Sequence, residues 1–525
     1  MRIAEDRKYI SLALAIGIAI RSVPNLLTPY PIGYDTIYYV TQILDWRAYL
    51  SNPNIIFQTP LHLVILSPIY VATGLGPFTI LRTAQPLLYG LLTTAFYYVA
   101  RRIIRWSPRW ALLAAIVFSL QTVTLRISWD LLRNELGLAI LLYSLVALED
   151  LDKRPLLFTA LSTLTVLSHQ FASVILLVII TGLTICHLYK RGISPAGRIV
   201  LSSIPAALLF VGVLGYPAGF QIIPSSPNTS IFPKTFSVFT RPHTFPFVNY
   251  LAGEGFIDYS GSHMNLLVDF ISLYAASYLP LLPLVVLGLK ELREPKIDLW
   301  AGFCTAASLM AIVTPRFALT HWERWMMMLI IPYTLYASKG IMTLYSITIH
   351  QKRMPRVSRK VLVIATYSLY ASIALLYVTS PSTNPISPYT LLWPSTKYSP
   401  ATLLRQGTPL EDIPRIEQAL KWLDTNREGD SCLLARETFV NWAKIHLKND
   451  ATIIDYWVKD VSIGLEYAKT LKYEKIYWIW WENDIGLKWY GQQIPSDFKP
   501  IYKTGNIVIY KCANLGSGRS KVDDH

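Results

Sequence analysis

The sequence predicts a polytopic α-helical membrane protein of about eleven spans with a C-terminal extracytoplasmic α/β domain. Three observations lead there. Of 525 residues, 52% are hydrophobic and only 15% charged, whereas a soluble globular chain carries roughly 25% charged residues. The mean hydropathy is +0.36. The formal charge of +15 sits almost wholly in the first 380 residues, where 30 Lys and Arg face 16 Asp and Glu, against 18 and 17 in the remainder. Positive charge placed between apolar stretches records orientation in a membrane and does not call for a nucleic acid partner.

Runs of roughly 17 to 25 apolar residues can cross a bilayer as helices that satisfy their own backbone groups. Full or shorter runs of this kind occupy residues 9–27, 80–100, 110–125, 136–148, 156–167, 171–188, 199–216, 266–289, 299–313, 325–347 and 361–378. Residues 61–75 are also apolar, but Pro60, Pro68, Gly74, Gly76 and Pro77 punctuate them, so they read as a membrane-dipping segment of the first loop. With the amino terminus inside, the interior loops hold 20 Lys and Arg, among them Arg101, Arg102, Arg105 and Arg109, and the outer loops seven. That asymmetry sets the orientation. Arg21 interrupts the first span and no clear small-residue cleavage site follows, which fits an uncleaved anchor better than a signal peptide.

Four segments follow: a transmembrane part over residues 1–380, a Pro-rich connector over 381–410, a soluble outer α/β domain over 411–515, and a disordered tail over 516–525. The connector holds Pro381, Pro385, Pro388, Pro394 and Pro400, which cannot continue a helix. Beyond it, residues 413–425, 440–447 and 462–471 read as helices, and 431–435, 452–456, 475–480 and 506–511 as strands. The alternation favours a small, largely parallel sheet. Cys186 and Cys304 are simply buried thiols in apolar spans, and Cys432 with Cys512 can pair only if their strands are neighbours.

In this topology the chemistry-bearing residues gather in the outer loops. Asp35 follows Pro31-Ile32-Gly33-Tyr34 and precedes Tyr38 and Tyr39; it is either the cap of a surface helix or an acid free for chemistry. The loop at 126–135 adds Arg126, Asp130, Arg133 and Glu135. Two acidic loops on one face can supply a general base or oxygen ligands for a hard divalent ion. His169 lies in a short polar break. The long loop over 218–265 carries Arg241, and the loop over 315–324 carries Arg316 and Arg324; arginine suits phosphate through its two-pronged donation, or anchors a helix by snorkelling.

In the order and sidedness of these parts the chain resembles the GT-C superfamily of integral-membrane glycosyltransferases, which includes protein O-mannosyltransferases, aminoarabinose transferases and the oligosaccharyltransferase catalytic subunit. The resemblance rests on the internal amino terminus, the early acid in Gly33-Tyr34-Asp35, the second acidic loop, the dipping segment, the long outer loop and the outer carboxy-terminal domain. It implies an inverting transfer of a sugar from a polyprenyl phosphate or diphosphate to an acceptor on the outer face of the cell membrane, whether protein, lipid or glycan. Asp35 then matches the first-loop acid, as base or metal ligand. Glu135, ahead of Asp130, matches the second-loop acid and metal ligand. Arg316 and Arg324, then Arg241 and His169, fall to the lipid phosphate and sugar. A divalent cation, Mg or Mn, is compatible with this set. Trp480-Trp481-Glu482-Asn483-Asp484 is similar to the Trp-Trp-Asp-Tyr-Gly acceptor motif of oligosaccharyltransferases, but it sits deep in the tail domain and lacks Tyr-Gly after the acid, so an oligosaccharyltransferase is the second reading. A multi-pass transporter is the rival of another class; against it, Asp269 is the lone acid within an expected span and no internal repeat stands out.

Overall fold

The computed structural model describes residues 2–33, 35–215, 263–313, 322–350, 356–379, 410–436, 438–448, 451–456, 461–482 and 494–512. The expected tail, the expected connector up to residue 409 and the expected long outer loop up to residue 262 lie outside these residues, as do Arg241 and Arg316.

Helix α1, Arg2–Leu27, packs along α5, Pro77–Tyr98, with α2, Thr36–Leu44, α3, Trp46–Leu50, and α4, Leu61–Thr73, between them in sequence. A Cβ on Gly17 would come within 2.8 Å of Gly90 Cα, and one on Gly90 within 2.8 Å of Leu14 O. The two glycines therefore let the helix backbones touch, the usual way membrane helices associate where lipid offers no hydrophobic drive. Next come α6, Pro108–Ser119, α7, Thr122–Asp130, α8, Leu132–Glu149, α9, Pro155–Ser168, α10, Gln170–Arg191, and α11, Ile193–Gly215. Val200, Leu201, Ile204, Leu208 and Val211 leave one face of α11 apolar and exposed, as a lipid-facing helix requires.

After residue 262 follow α12, His263–Tyr278, α13, Leu282–Glu291, α14, Pro295–Val313, α15, Trp322–Met327, α16, Ile330–His350, and α17, Arg356–Val378. The pair α13 and α16 crosses at Gly288 and Gly340, where a Cβ would meet the backbone of Tyr336 or Leu284.

Among the described residues four helical stretches are long and apolar enough to cross a membrane, or six if each of two bent pairs counts as one span. The bends correct two expected spans. Residues 110–125 do not form one rod, because α6 and α7 meet at 64°; residues 266–289 divide into α12 and α13, bent by 76°. In the second case Pro280 and Pro283 fall at the break, where a missing N–H and a fixed φ end the first helix and start the next. Residues 61–75, set apart as a dipping segment, form the short α4 with Pro68 inside it.

The carboxy-terminal part contains α18, Ile413–Asn426, β1, Ser431–Ala435, α19, Thr438–His446, β2, Thr452–Asp455, α20, Val461–Thr470, β3, Lys475–Trp481, β4, Phe498–Thr504, and β5, Ile507–Cys512. The sheet order is β2-β1-β3-β5-β4. β1 runs parallel to β2 and β3, while β5 is antiparallel to β3 and β4, so the sheet is mixed rather than largely parallel. β4 escaped the sequence reading. Trp478, Trp480 and Trp481 are buried in the sheet core, and Trp481 donates to Asp412 at 3.1 Å. The similarity of this stretch to an acceptor motif therefore has a packing explanation. β3 lies between the strands of Cys432 and Cys512, and all four thiols are free; Cys304 is buried as expected, whereas Cys186 is exposed on α10.

This sheet unit rests on the first loop. Tyr30 donates to Glu417 of α18 at 2.8 Å, and Trp442 of α19 packs on Tyr30 and Phe78 with ring centroids 6.0 and 5.8 Å apart. α19 also touches α2, the helix that Asp35 introduces.

Candidate active site

Asp35 occupies the N-cap position of α2, yet its side chain makes no capping hydrogen bond. Of the two readings that the sequence left open, the position is that of a cap and the carboxylate is not used as one. Gly33, at φ 113°, supplies the backbone turn that precedes it, a conformation L side chains rarely adopt.

The carboxylate faces cations. Asp35 interacts electrostatically with Arg126 of α7 and with Arg133 of α8, and Arg126 in turn with Arg324 of α15. Arg133 is held by Thr59 Oγ1 at 3.2 Å and Gln58 O at 3.3 Å, and lies beside Tyr39 and Tyr38. Tyr39 packs on His62 at 5.2 Å; His62 Nε2 is 2.8 Å from Gln42 Oε1, and Gln42 donates to Tyr38 Oη at 2.8 Å. The second loop thus enters the site through its arginines. The sequence showed Arg126 and Arg133 in this loop but gave no reason to rank them above its acids.

Those acids fare differently. Residue 130 ends α7, and the backbone beside it meets the start of α2: Thr36 Oγ1 lies 3.3 Å from Trp129 O. Glu135, placed at the outer mouth by its sequence position, lies instead inside the bundle. It belongs to the first turn of α8, is fully buried, and interacts with the equally buried Arg21 of α1. Helix α8 begins at Leu132, four residues ahead of the apolar run, and that extra turn carries Glu135 inward. Its two carboxylate oxygens have no hydrogen-bond partner among the described residues.

His169 caps α10. Its Nδ1 accepts from Phe171 N–H at 3.2 Å, and the ring lies on Phe171, which packs against Trp325. The cap bond satisfies one N–H of the first turn of α10.

Among the described residues no three His, Cys, Asp or Glu side chains converge. The charged groups recorded beside Asp35 are guanidinium groups, and no step below runs through a metal. What the arrangement can offer an anion is guanidinium donors: Asp35 interacts with Arg126 and Arg133, and Arg126 in turn lies within electrostatic reach of Arg324.

No family model matches the chain, and no curated protein does. Among solved structures, the chain is similar to ArnT from Cupriavidus metallidurans bound to undecaprenyl phosphate, at 12% identity and a TM-score of 0.48, over 96% of this chain and 97% of that one. It is also similar to the arabinofuranosyltransferase AftD from Mycobacteria, at 13% identity and a TM-score of 0.49, over 97% of this chain and 40% of that one.

Proposed function

We propose that the chain is a membrane glycosyltransferase that moves a sugar from a polyprenyl-phosphate-linked donor to an acceptor on the outer face, with inversion at the anomeric carbon. The observation that carries this reading is the Asp35 carboxylate, uncapped and interacting with Arg126 and Arg133, with Arg324 in electrostatic reach of Arg126. In the reaction Asp35 takes the proton of the acceptor hydroxyl as its oxygen attacks the anomeric carbon. The bond from that carbon to the phosphate oxygen breaks on the opposite face. The lipid phosphate departs with the electron pair, as an anion that the arginines stabilise, so no strong general acid is needed. Arg241 and Arg316 are assigned to the same anion from the resemblance of their loops. The sheet unit, resting on Tyr30 and Phe78, belongs to the outer side and sits beside the acceptor's approach.

Purified protein should consume a polyprenyl-phosphate sugar and release the free lipid phosphate, with product of inverted configuration. Retained configuration removes the direct displacement. Solute uptake into sealed vesicles that is indifferent to Asp35→Asn and Arg126→Ala favours the transporter instead.

A further inference from the structure

A second set of residues has no part in the chemistry above and yet holds its geometry. Helix α7 ends at Asp130, so the carbonyls of Ser128 and Trp129 have no continuing turn to bond them. In a membrane protein such groups need partners, and here two distant helices provide them. Arg21 of α1 donates through Nε to Ser128 O at 3.2 Å and through Nη2 to Gln85 Oε1 at 2.9 Å. Gln85 of α5 donates through Nε2 to Trp129 O at 3.0 Å and lies 3.5 Å from Thr36 Oγ1. Thr36, the first residue of α2, also bonds Ile32 O at 2.8 Å. Arg21, Thr36, Gln85, Ser128 and Trp129 are all fully buried. The positive charge at the α7 C-terminus complements that helix end, and Glu135 balances it.

We propose that Arg21 and Gln85 are positioning residues: they staple the last carbonyls of α7 to the first turn of α2 and so fix the spacing of Asp35, at the start of α2, from Arg126 of α7. Neither touches substrate. The catalytic consequence rests on the glycosyltransferase reading; the staple itself does not. Gln85 is the informative position because its two ends do different things. Glutamate there keeps an acceptor for Arg21 but, when ionised, has no proton to donate to Trp129 O. Methionine removes both ends at similar volume.

The experiment is hydrogen exchange by mass spectrometry on the full chain in detergent, with turnover of a polyprenyl-phosphate sugar measured on the same samples. Gln85→Glu should raise exchange about tenfold in peptides covering residues 32–44 and 122–133, with the sheet unit unchanged. It should lower kcat about tenfold or more and leave KM for the donor within about twofold, since a displacement on the order of 1 Å suffices for such losses. Gln85→Met should do the same more strongly, and carries the test if the glutamate variant does not fold. Unchanged exchange in both peptides overturns the staple, as does an equal rise across the whole chain. If wild-type protein turns over no donor while exchange follows the expected pattern, the functional reading falls and the staple stands.

Discussion

The two acids that the sequence pairs, Asp35 and Glu135, end in opposite surroundings. Asp35 is half-exposed, at the start of a helix whose cap bond it does not make, and its described charged neighbours are arginines of α7 and α8. Glu135 is sealed inside the bundle, where its counter-charge is Arg21, itself committed to the carbonyl of Ser128 and to Gln85. On the proposed reading, a half-exposed carboxylate beside arginines receives a proton and shares its site with a phosphate. One buried opposite a single guanidinium balances charge in the interior. Position between two apolar runs therefore does not fix burial; the turn at which the next helix begins decides it.

The comparison breaks most directly at the acids. Asp35→Asn should lower turnover by roughly 10²- to 10⁴-fold, the usual weight of a general base, and leave thermal unfolding in detergent unchanged. Glu135→Gln should do the reverse: a lowered melting temperature, through loss of the acid that interacts with the buried Arg21, with turnover per folded molecule largely kept. Equal losses of turnover in the two variants would erase the distinction.

These contrasts also mark what the sequence could show. Apolar run length located most helices within a few residues, because burial in lipid leaves a continuous signal. It did not show the breaks inside 110–125 and 266–289, because hydropathy runs on through Leu120 and Leu279; only the second break had a local signal, Pro280 and Pro283. β4 was missed because Phe498–Thr504 exposes most of its side chains at a sheet edge and contains Pro500, so neither alternation nor β-propensity rises above its surroundings. Asp35 was legible from the glycine turn before it. Arg126 and Arg133 were visible as charges, but their convergence on Asp35 needs the angle between α6 and α7. Arg21 and Gln85 had a signal, polarity inside apolar spans, without any indication of which carbonyls they would meet.

Smaller effects sharpen the same contrast. Arg324→Ala should raise KM for the donor about tenfold through loss of a charge-assisted phosphate contact, with little change in stability. His169→Ala should cost about 1 kcal/mol as a lost N-cap, restored by His169→Asn, with donor KM unmoved in both; a selective rise in KM would return His169 to the binding site. At the far end of the scale, burial holds the His446 imidazole of α19 below the usual histidine range. The unfolded chain then binds more protons than the folded one just below about pH 6.5, so the sheet unit loses stability as pH falls through that region. His446→Phe, which keeps the ring stacked on Trp442, should flatten that acid slope in melting curves.

The most direct test of the central claim is a structure of the full chain with a polyprenyl phosphate in a lipid nanodisc. The account predicts the phosphate between Arg126 and Arg324, with the Asp35 carboxylate facing the sugar side of the phosphoester oxygen. A head group seated at Glu135 and Arg21, or on the cytoplasmic face of the bundle, would contradict it.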